Sequence, residues 1–276
     1  MRIDAHQHFW KFDPVRDAWI DESMQAIRRD FLPEHLEPLL QWHRMDGCVA
    51  VQADQSEKET SFLLDLASRN SFIKKVVGWI DLAADDIANK LALWSEHQRL
   101  AGFRHILQSE PPEKMREANF RRGIGQLEAH GFTYDILIFP HHLEAALELV
   151  DAFPRQPFVI DHLAKPKIRG SIMEPWKRQI RELATRPHVC CKLSGMVTEA
   201  DPQRWKPDDL RPYVEVVLEA FGTSRVMYGS DWPVCLLAAD YGRVLHSVES
   251  LIAYLSHDEQ ADILGGTACR FYGITN

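Results

Sequence analysis

Hydrophobic and polar positions along this chain switch repeatedly between two periods. Short runs rich in Val, Ile, Phe and Tyr recur eight times, at Ile3–Trp10, Gly47–Asp54, Val76–Leu82, Gly102–Leu107, Thr133–Pro140, Phe158–Leu163, Val189–Gly195 and Arg225–Trp232. Their starts fall 25 to 44 residues apart, and a strand, a helix and two loops together occupy roughly 30 residues. Between the runs the apolar positions adopt the helical period. In His142–Phe153, Leu143, Ala146, Leu147 and Val150 share one face. In Asp208–Phe221, Val214, Val217, Leu218 and Phe221 form a stripe, with Asp208 and Asp209 near the N-terminus, where the helix dipole favours anions. Asp240–Leu255 repeats the pattern through Leu245, Val248, Leu251, Ile252 and Leu255.

Strands alternating with amphipathic helices specify parallel βαβ units. Eight such units predict an α/β fold, a single (β/α)8 TIM-type barrel. A doubly wound open sheet is the competing arrangement, but no glycine-rich phosphate loop follows the first strand. No low-complexity linker interrupts the chain, so residues 1–276 are expected to form one barrel domain. The stretch Lys11–Pro33 is a long loop between the first strand and the first helix, expected over the C-terminal mouth, where barrels keep their active sites. Its Trp19 and Ile20, with Trp10, either wall a pocket or cap the top of the barrel.

Composition narrows the function. The 276 residues carry 32 Lys and Arg against 40 Asp and Glu, a net charge of -8, with no basic run. Capture of nucleic acid or of an anionic membrane surface is therefore disfavoured. No apolar stretch approaches the roughly 20 residues of a membrane span, and the opening MRIDAHQHFW lacks the apolar centre of a signal peptide. Cys48, Cys190, Cys191, Cys235 and Cys269 are odd in number and contain no CxxC pair. They read as free thiols, and the expected location is the cytoplasm. Size and charge fit a monomer or a small homo-oligomer equally well.

The candidate chemistry lies at the strand ends. The first run closes on His6-Gln7-His8, and alternation points residues i and i+2 the same way. Two neutral imidazoles side by side are natural ligands for zinc or a similar ion. The sixth run is apolar until it stops on Asp161-His162, and the eighth ends Gly229-Ser230-Asp231-Trp232-Pro233. Taken singly, Asp231 reads as a turn residue before Pro233 and His162 as a hydrogen-bonded core histidine. Taken together, His6, His8, His162 and Asp231 all stand at strand C-termini and would converge in a closed barrel. Arg104, at the end of the fourth run, could hold a carboxylate or polarise a carbonyl. Gln52, Lys192 and Ser194 could meet hydroxyls or satisfy one another inside the barrel. Lys165 is a further candidate anion contact.

These residues resemble the amidohydrolase superfamily over nearly the whole chain. IDAHQHFW, GFRH, VIDHLAKP, CKLSG, MYGSDWP and GTACRFYG, in that order, look like its sugar-lactonase-like branch. That branch includes lactonases acting on L-fucono-, L-rhamnono- and 2-pyrone-4,6-dicarboxylate lactones. The resemblance implies a carboxylic ester hydrolase of carbohydrate metabolism that opens an L-fucono-lactone-like sugar lactone to the free hydroxy acid. It implies metal ligands at His6, His8, His162 and Asp231, with Asp231 as general base and His162 and Arg104 also catalytic. Trp10, Trp19, Gln52, His105 and Trp232 would contact the small-molecule lactone. Binuclear members carry a bridging carboxylated lysine or glutamate on strand four or five. Here those strands end in Arg104-His105 and Ile138-Phe139-Pro140, so at most one divalent metal, zinc, is expected, and some members dispense with it. A metal-dependent decarboxylase of the same superfamily shares the HxH, the later histidine and the strand-eight aspartate, and stands as the alternative. So does a hydrolase of dicarboxylate lactones, which would want several arginines at the mouth.

Overall fold

The computed structural model describes residues 1–275. Eight parallel strands follow one another in sequence order: β1 (Ile3–Gln7), β2 (Gly47–Val51), β3 (Ile73–Gly78), β4 (Leu100–His105), β5 (Thr133–Ile136), β6 (Phe158–Ile160), β7 (Val189–Leu193) and β8 (Val226–Tyr228). The sheet closes on itself where Gln7 bridges Trp232 in parallel and the Asp231 amide donates to the His6 carbonyl at 2.8 Å. The protein is a (β/α)8 barrel, as the alternating pattern predicts.

Helices wrap the outside in the expected rhythm, including Leu143–Ala152, Pro207–Phe221 and Tyr241–Ile252. Several are only about three turns long and would be marginal alone. They are held by packing: Leu149, Ile180 and Val217 are fully buried in one cluster with Phe103, Ile136 and Leu193 of the strands. Each such side chain contributes about 1.5–3 kcal/mol by leaving water. Local signals fix the helix starts. The Ser56 hydroxyl accepts from the Glu59 amide, and the Asp240 carboxylate accepts from the Arg243 amide.

Inside the barrel, Ile3, Ala5, Val49, Val51, Val159 and Met227 form an apolar floor. The last helix, Thr267–Tyr272, plugs it from below with Ala268 and Tyr272. The expected strands run past the observed ones mainly at their C-terminal ends. β6 stops at Ile160 and β8 at Tyr228, and the polar residues that follow occupy irregular turns. The loop between β1 and the helix Pro33–Trp42 does both jobs foreseen for it. Ile20, Ile27 and Phe31 are buried and cap the barrel, while Trp10 and Trp19 wall a cavity at its mouth. All five cysteines are free thiols. Among the described residues no helix is long and apolar enough to cross a membrane.

Candidate active site

β1 does not keep a single alternation. Ile3 and Ala5 belong to the barrel floor, yet His6 and His8 also face inward. The register with β2 slips between Asp4 and Gln7, and such a bulge re-aims the side chains beyond it. Gln7 is left on the outer side, where its amide donates to the Cys48 thiol at 3.3 Å. Neighbouring glycines make room for the histidines. A Cβ on Gly229 would lie 2.5 Å from the His6 Cβ, and one on Gly195, which also has φ +62°, would lie 2.6 Å from His162 Nδ1.

Three imidazoles aim the same nitrogen at one oxygen. The Nε2 atoms of His8, His6 and His162 lie 3.4, 3.9 and 4.0 Å from Asp231 Oδ1. The other ring nitrogens are occupied behind them. His8 Nδ1 is 2.8 Å from the Val51 carbonyl, His162 Nδ1 is 2.8 Å from Ser194 Oγ, and His6 Nδ1 is 3.3 Å from Asp161 Oδ1. Protons on Nδ1 of His8 and His162 find acceptors in Val51 and Ser194, which leaves their Nε2 lone pairs directed at the centre, whereas the His6 ring has the Lys192 ammonium beside Nδ1 and the Arg104 guanidinium beside Nε2. The donor chemistry fits a divalent ion of the zinc type, with ligand atoms of His6, His8 and Asp231 clustered in one group and those of His6, Asp161 and His162 in another. Burial lowers the pKa of His162 to about 4 and that of His6 well below its ordinary value, so both rings are neutral near pH 7. Burial opposes ionisation of Asp231, but the facing His162, His8 and His6 outweigh it and hold the carboxyl below its usual range.

The backbone here is strained. His162, Leu163, Ala164 and Lys165 have φ between +51° and +60°, and Asp231 has φ +58°. A left-handed conformation costs a non-glycine residue roughly 1–2 kcal/mol, and such residues cluster at functional sites. The turn at 162–165 carries the His162 ring inward and swings Lys165 to the rim.

Beneath the imidazoles lies a charged layer. Lys192 is fully buried. Its Nζ donates to Asp135 at 2.6 Å and lies 3.0 Å from Asp161 Oδ1 and 3.1 Å from His6 Nδ1. Tyr272, from the basal plug, donates to the same Asp135 oxygen at 2.8 Å. The Arg104 guanidinium donates to Asp161 at 3.0 Å and lies 3.2 Å from His6 Nε2. It also donates to the Gln52 carbonyl, and the Gln52 side-chain amide donates back to the Arg104 carbonyl at 3.0 Å. Asp135, the one carboxylate on β5, is thus engaged by Lys192 and Tyr272.

The mouth cavity has a volume of ≈190 Å³ and is lined by His8, Trp10, Trp19, Arg104, Gln108, His162, Lys165 and Asp231, among others. Three of the expected substrate contacts lie outside this lining. Gln52 is buried behind Arg104 and braces it. His105 points away from the barrel axis, accepting from Trp79 Nε1 at 3.2 Å, because it follows inward-facing Arg104 in the strand. Trp232 is 2 % exposed and packs edge-on against Phe31 at 5.1 Å, under the loop. Conversely, Asp161, Asp135 and Gln108 enter the site without having been singled out as members of it. Asp161 has a signal in the sequence, as the first polar residue after an apolar run. Gln108 has none; its Oε1 is buried at the cavity wall without a hydrogen-bond partner.

A family model described as Amidohydrolase matches residues 3–274. Two proteins named L-fucono-1,5-lactonase, from Burkholderia multivorans and Burkholderia ambifaria, are each 41% identical to this chain over 99% of its length and 96% of theirs. A crystal structure of an amidohydrolase from Burkholderia multivorans with bound zinc superposes with a TM-score of 0.96, at 39% identity and with 100% of each chain covered.

Proposed function

Since the chain belongs to the amidohydrolase family, we propose that it hydrolyses a sugar-acid lactone, of the L-fucono-lactone type, to the open hydroxy acid. The observation that carries this reading is the convergence of three histidine Nε2 atoms on Asp231 Oδ1 at the base of the mouth cavity. Whole-length similarity to two L-fucono-1,5-lactonases supports the choice of substrate class. His6, His8, His162 and Asp231 would hold one divalent ion, and the zinc of the crystallised relative supports zinc. When bound, such an ion supplies Lewis-acid polarisation and makes water more acidic.

The chain's own residues do the rest. Trp10 and Trp19 offer apolar surface to one face of the sugar ring. Gln108 and Lys165 meet its hydroxyls. Asp231 takes the proton of a water molecule as that water attacks the lactone carbonyl carbon. A C–O bond forms to the water oxygen, and the ring C–O bond breaks. Asp231 returns the proton to the departing ring oxygen. Arg104, braced by Gln52 and Asp161, keeps positive charge beside the developing oxyanion. The product acid ionises at neutral pH, so each turnover releases one proton.

Among the described residues Arg104 is the only arginine lining the mouth, joined there by Lys165. That favours a neutral sugar lactone over a dicarboxylate. Proton release with a pH indicator on a panel of L-fucono-, L-galactono- and L-rhamnono-lactones tests the proposal, with chelator-treated and zinc-supplemented protein in parallel. Asp231→Asn should lose at least about a hundredfold in kcat with unchanged circular dichroism. Release on none of the lactones would sink the reading.

A further inference from the structure

A second, larger cavity of ≈420 Å³ adjoins the mouth. Its walls include Phe139, Lys165, Lys167, Glu174, Gln179 and Glu199. Lys165 lines both cavities, placed there by the left-handed turn that follows β6. The side chains facing the larger cavity make no hydrogen bond to one another, and Lys165 and Glu199 meet only as a long ion pair. Gln179 Oε1 is buried and has no hydrogen-bond partner. Lys165 Nζ is 3.9 Å from the Glu199 carboxylate, beyond hydrogen-bond reach, and 5.5 Å above the Phe139 ring. A buried acceptor without a donor is costly, and an ammonium held short of its carboxylate keeps its three protons for another partner.

These groups define a ligand class. Two lysines, Lys165 and Lys167, stand beside two carboxylates, Glu174 and Glu199, so the cavity suits a ligand that carries both an anionic group and hydroxyl donors. Gln179 Oε1 and Glu199 accept from hydroxyls. Phe139 presents an aromatic face to C–H bonds. We propose that the lateral cavity is a second binding site for a polyhydroxylated carboxylate anion, the class to which the ring-opened product belongs. The choice of ligand class rests on the lactonase reading; the cavity and its unsatisfied groups do not. An anion there draws Lys165 away from the mouth, so occupancy of the second site weakens, without excluding, binding of lactone in the first.

Sodium gluconate is the probe, titrated calorimetrically into the full-length protein against a potassium chloride control of matched ionic strength. Two binding sites per chain are expected, falling to one in Lys167→Met and in Gln179→Leu. Neither residue lines the mouth, so kcat/KM for lactone should stay within about twofold in both variants. Gluconate should inhibit the parent protein with a mixed pattern and both variants competitively. A single site in the parent protein, a second site that survives unchanged in both variants, or purely competitive inhibition of the parent would overturn the proposal. The two readings fail separately. Absence of turnover on every lactone removes the lactonase but leaves the two-site titration to decide the cavity, and a one-site titration removes the cavity whatever the turnover.

Discussion

Lys192→Met isolates the charged layer under the imidazoles. Methionine keeps much of the volume and removes the charge. In the parent protein Nζ is 2.6 Å from Asp135 and 3.0 Å from Asp161, and all three side chains are fully buried. At an effective dielectric near 20, a pair at 2.6 Å is worth about 6 kcal/mol before desolvation is charged against it. Asp161 keeps Arg104 at 3.0 Å when the lysine goes. Asp135 keeps only the Tyr272 hydroxyl. Burial already raises its pKa to about 6 with Lys192 present. Breaking one side of such a pair costs about 3–5 kcal/mol. Urea unfolding at pH 7.5 should therefore show a loss of about that size in Lys192→Met. Lys192→Met/Asp135→Asn, which removes the stranded carboxylate too, should recover at least about 1 kcal/mol of it, a coupling expected of residues in contact. A loss under about 1 kcal/mol in the single variant, or no recovery in the double, would refute the assignment of Lys192 to an internal ion pair.

Ser194→Ala removes the partner of His162 Nδ1, 2.8 Å away; zinc affinity, read by competition with a chromophoric chelator, should fall about 10–100-fold, and unchanged affinity would show that the hydroxyl does not orient the ring. Burial raises the pKa of Glu59 from its ordinary 4.5 to about 7. The folded protein therefore binds that proton more tightly than the unfolded chain, so the stabilisation is complete below 4.5 and is lost as pH rises through about 7. Glu59→Gln still accepts from the Ala53 amide and should flatten the stability–pH profile over that window by roughly 3 kcal/mol, whereas a profile parallel to the parent's would exclude Glu59 as its source. Trp19 is 45 % exposed at the cavity wall; Trp19→Ala should raise KM about 5–30-fold with little change in kcat, the signature of lost uniform binding, and an unchanged KM would remove it from the substrate surface.

What the sequence made legible follows from where information sits in a barrel. Period-two runs separated by amphipathic helices specify the sheet and its closure, because each strand buries both faces and each helix one. Strand ends were legible too. A polar residue that stops an apolar run has left the packed interior, which locates His162 and Asp231 to within a residue or two. Depth was not legible. The sequence places Lys192 inside the barrel but does not show that Asp135 lies in the same layer, because layers in a barrel are set by the stagger between strands rather than by position in any one of them. The same limit explains Gln52 and Arg104, which are 52 residues apart and brace each other.

The bulge in β1 shows why local pattern and site chemistry can disagree without either being wrong. Strict alternation from Ile3 and Ala5 would turn His6 and His8 outward, against the helices. Strict alternation from the HxH would turn Ile3 and Ala5 out of the barrel floor. Both sets face inward because the register slips between Asp4 and Gln7. The slip is supported on the outer side: the Asp4 carboxylate accepts from the His6 amide at 3.2 Å and from the Ser230 amide at 2.8 Å. Asp4 is therefore bonded to a residue of β1 and to one of the turn after β8, where the barrel closes and where Asp231 stands. The Asp4 carboxylate thus ties together the two elements that carry the imidazole–carboxylate cluster and holds them in register.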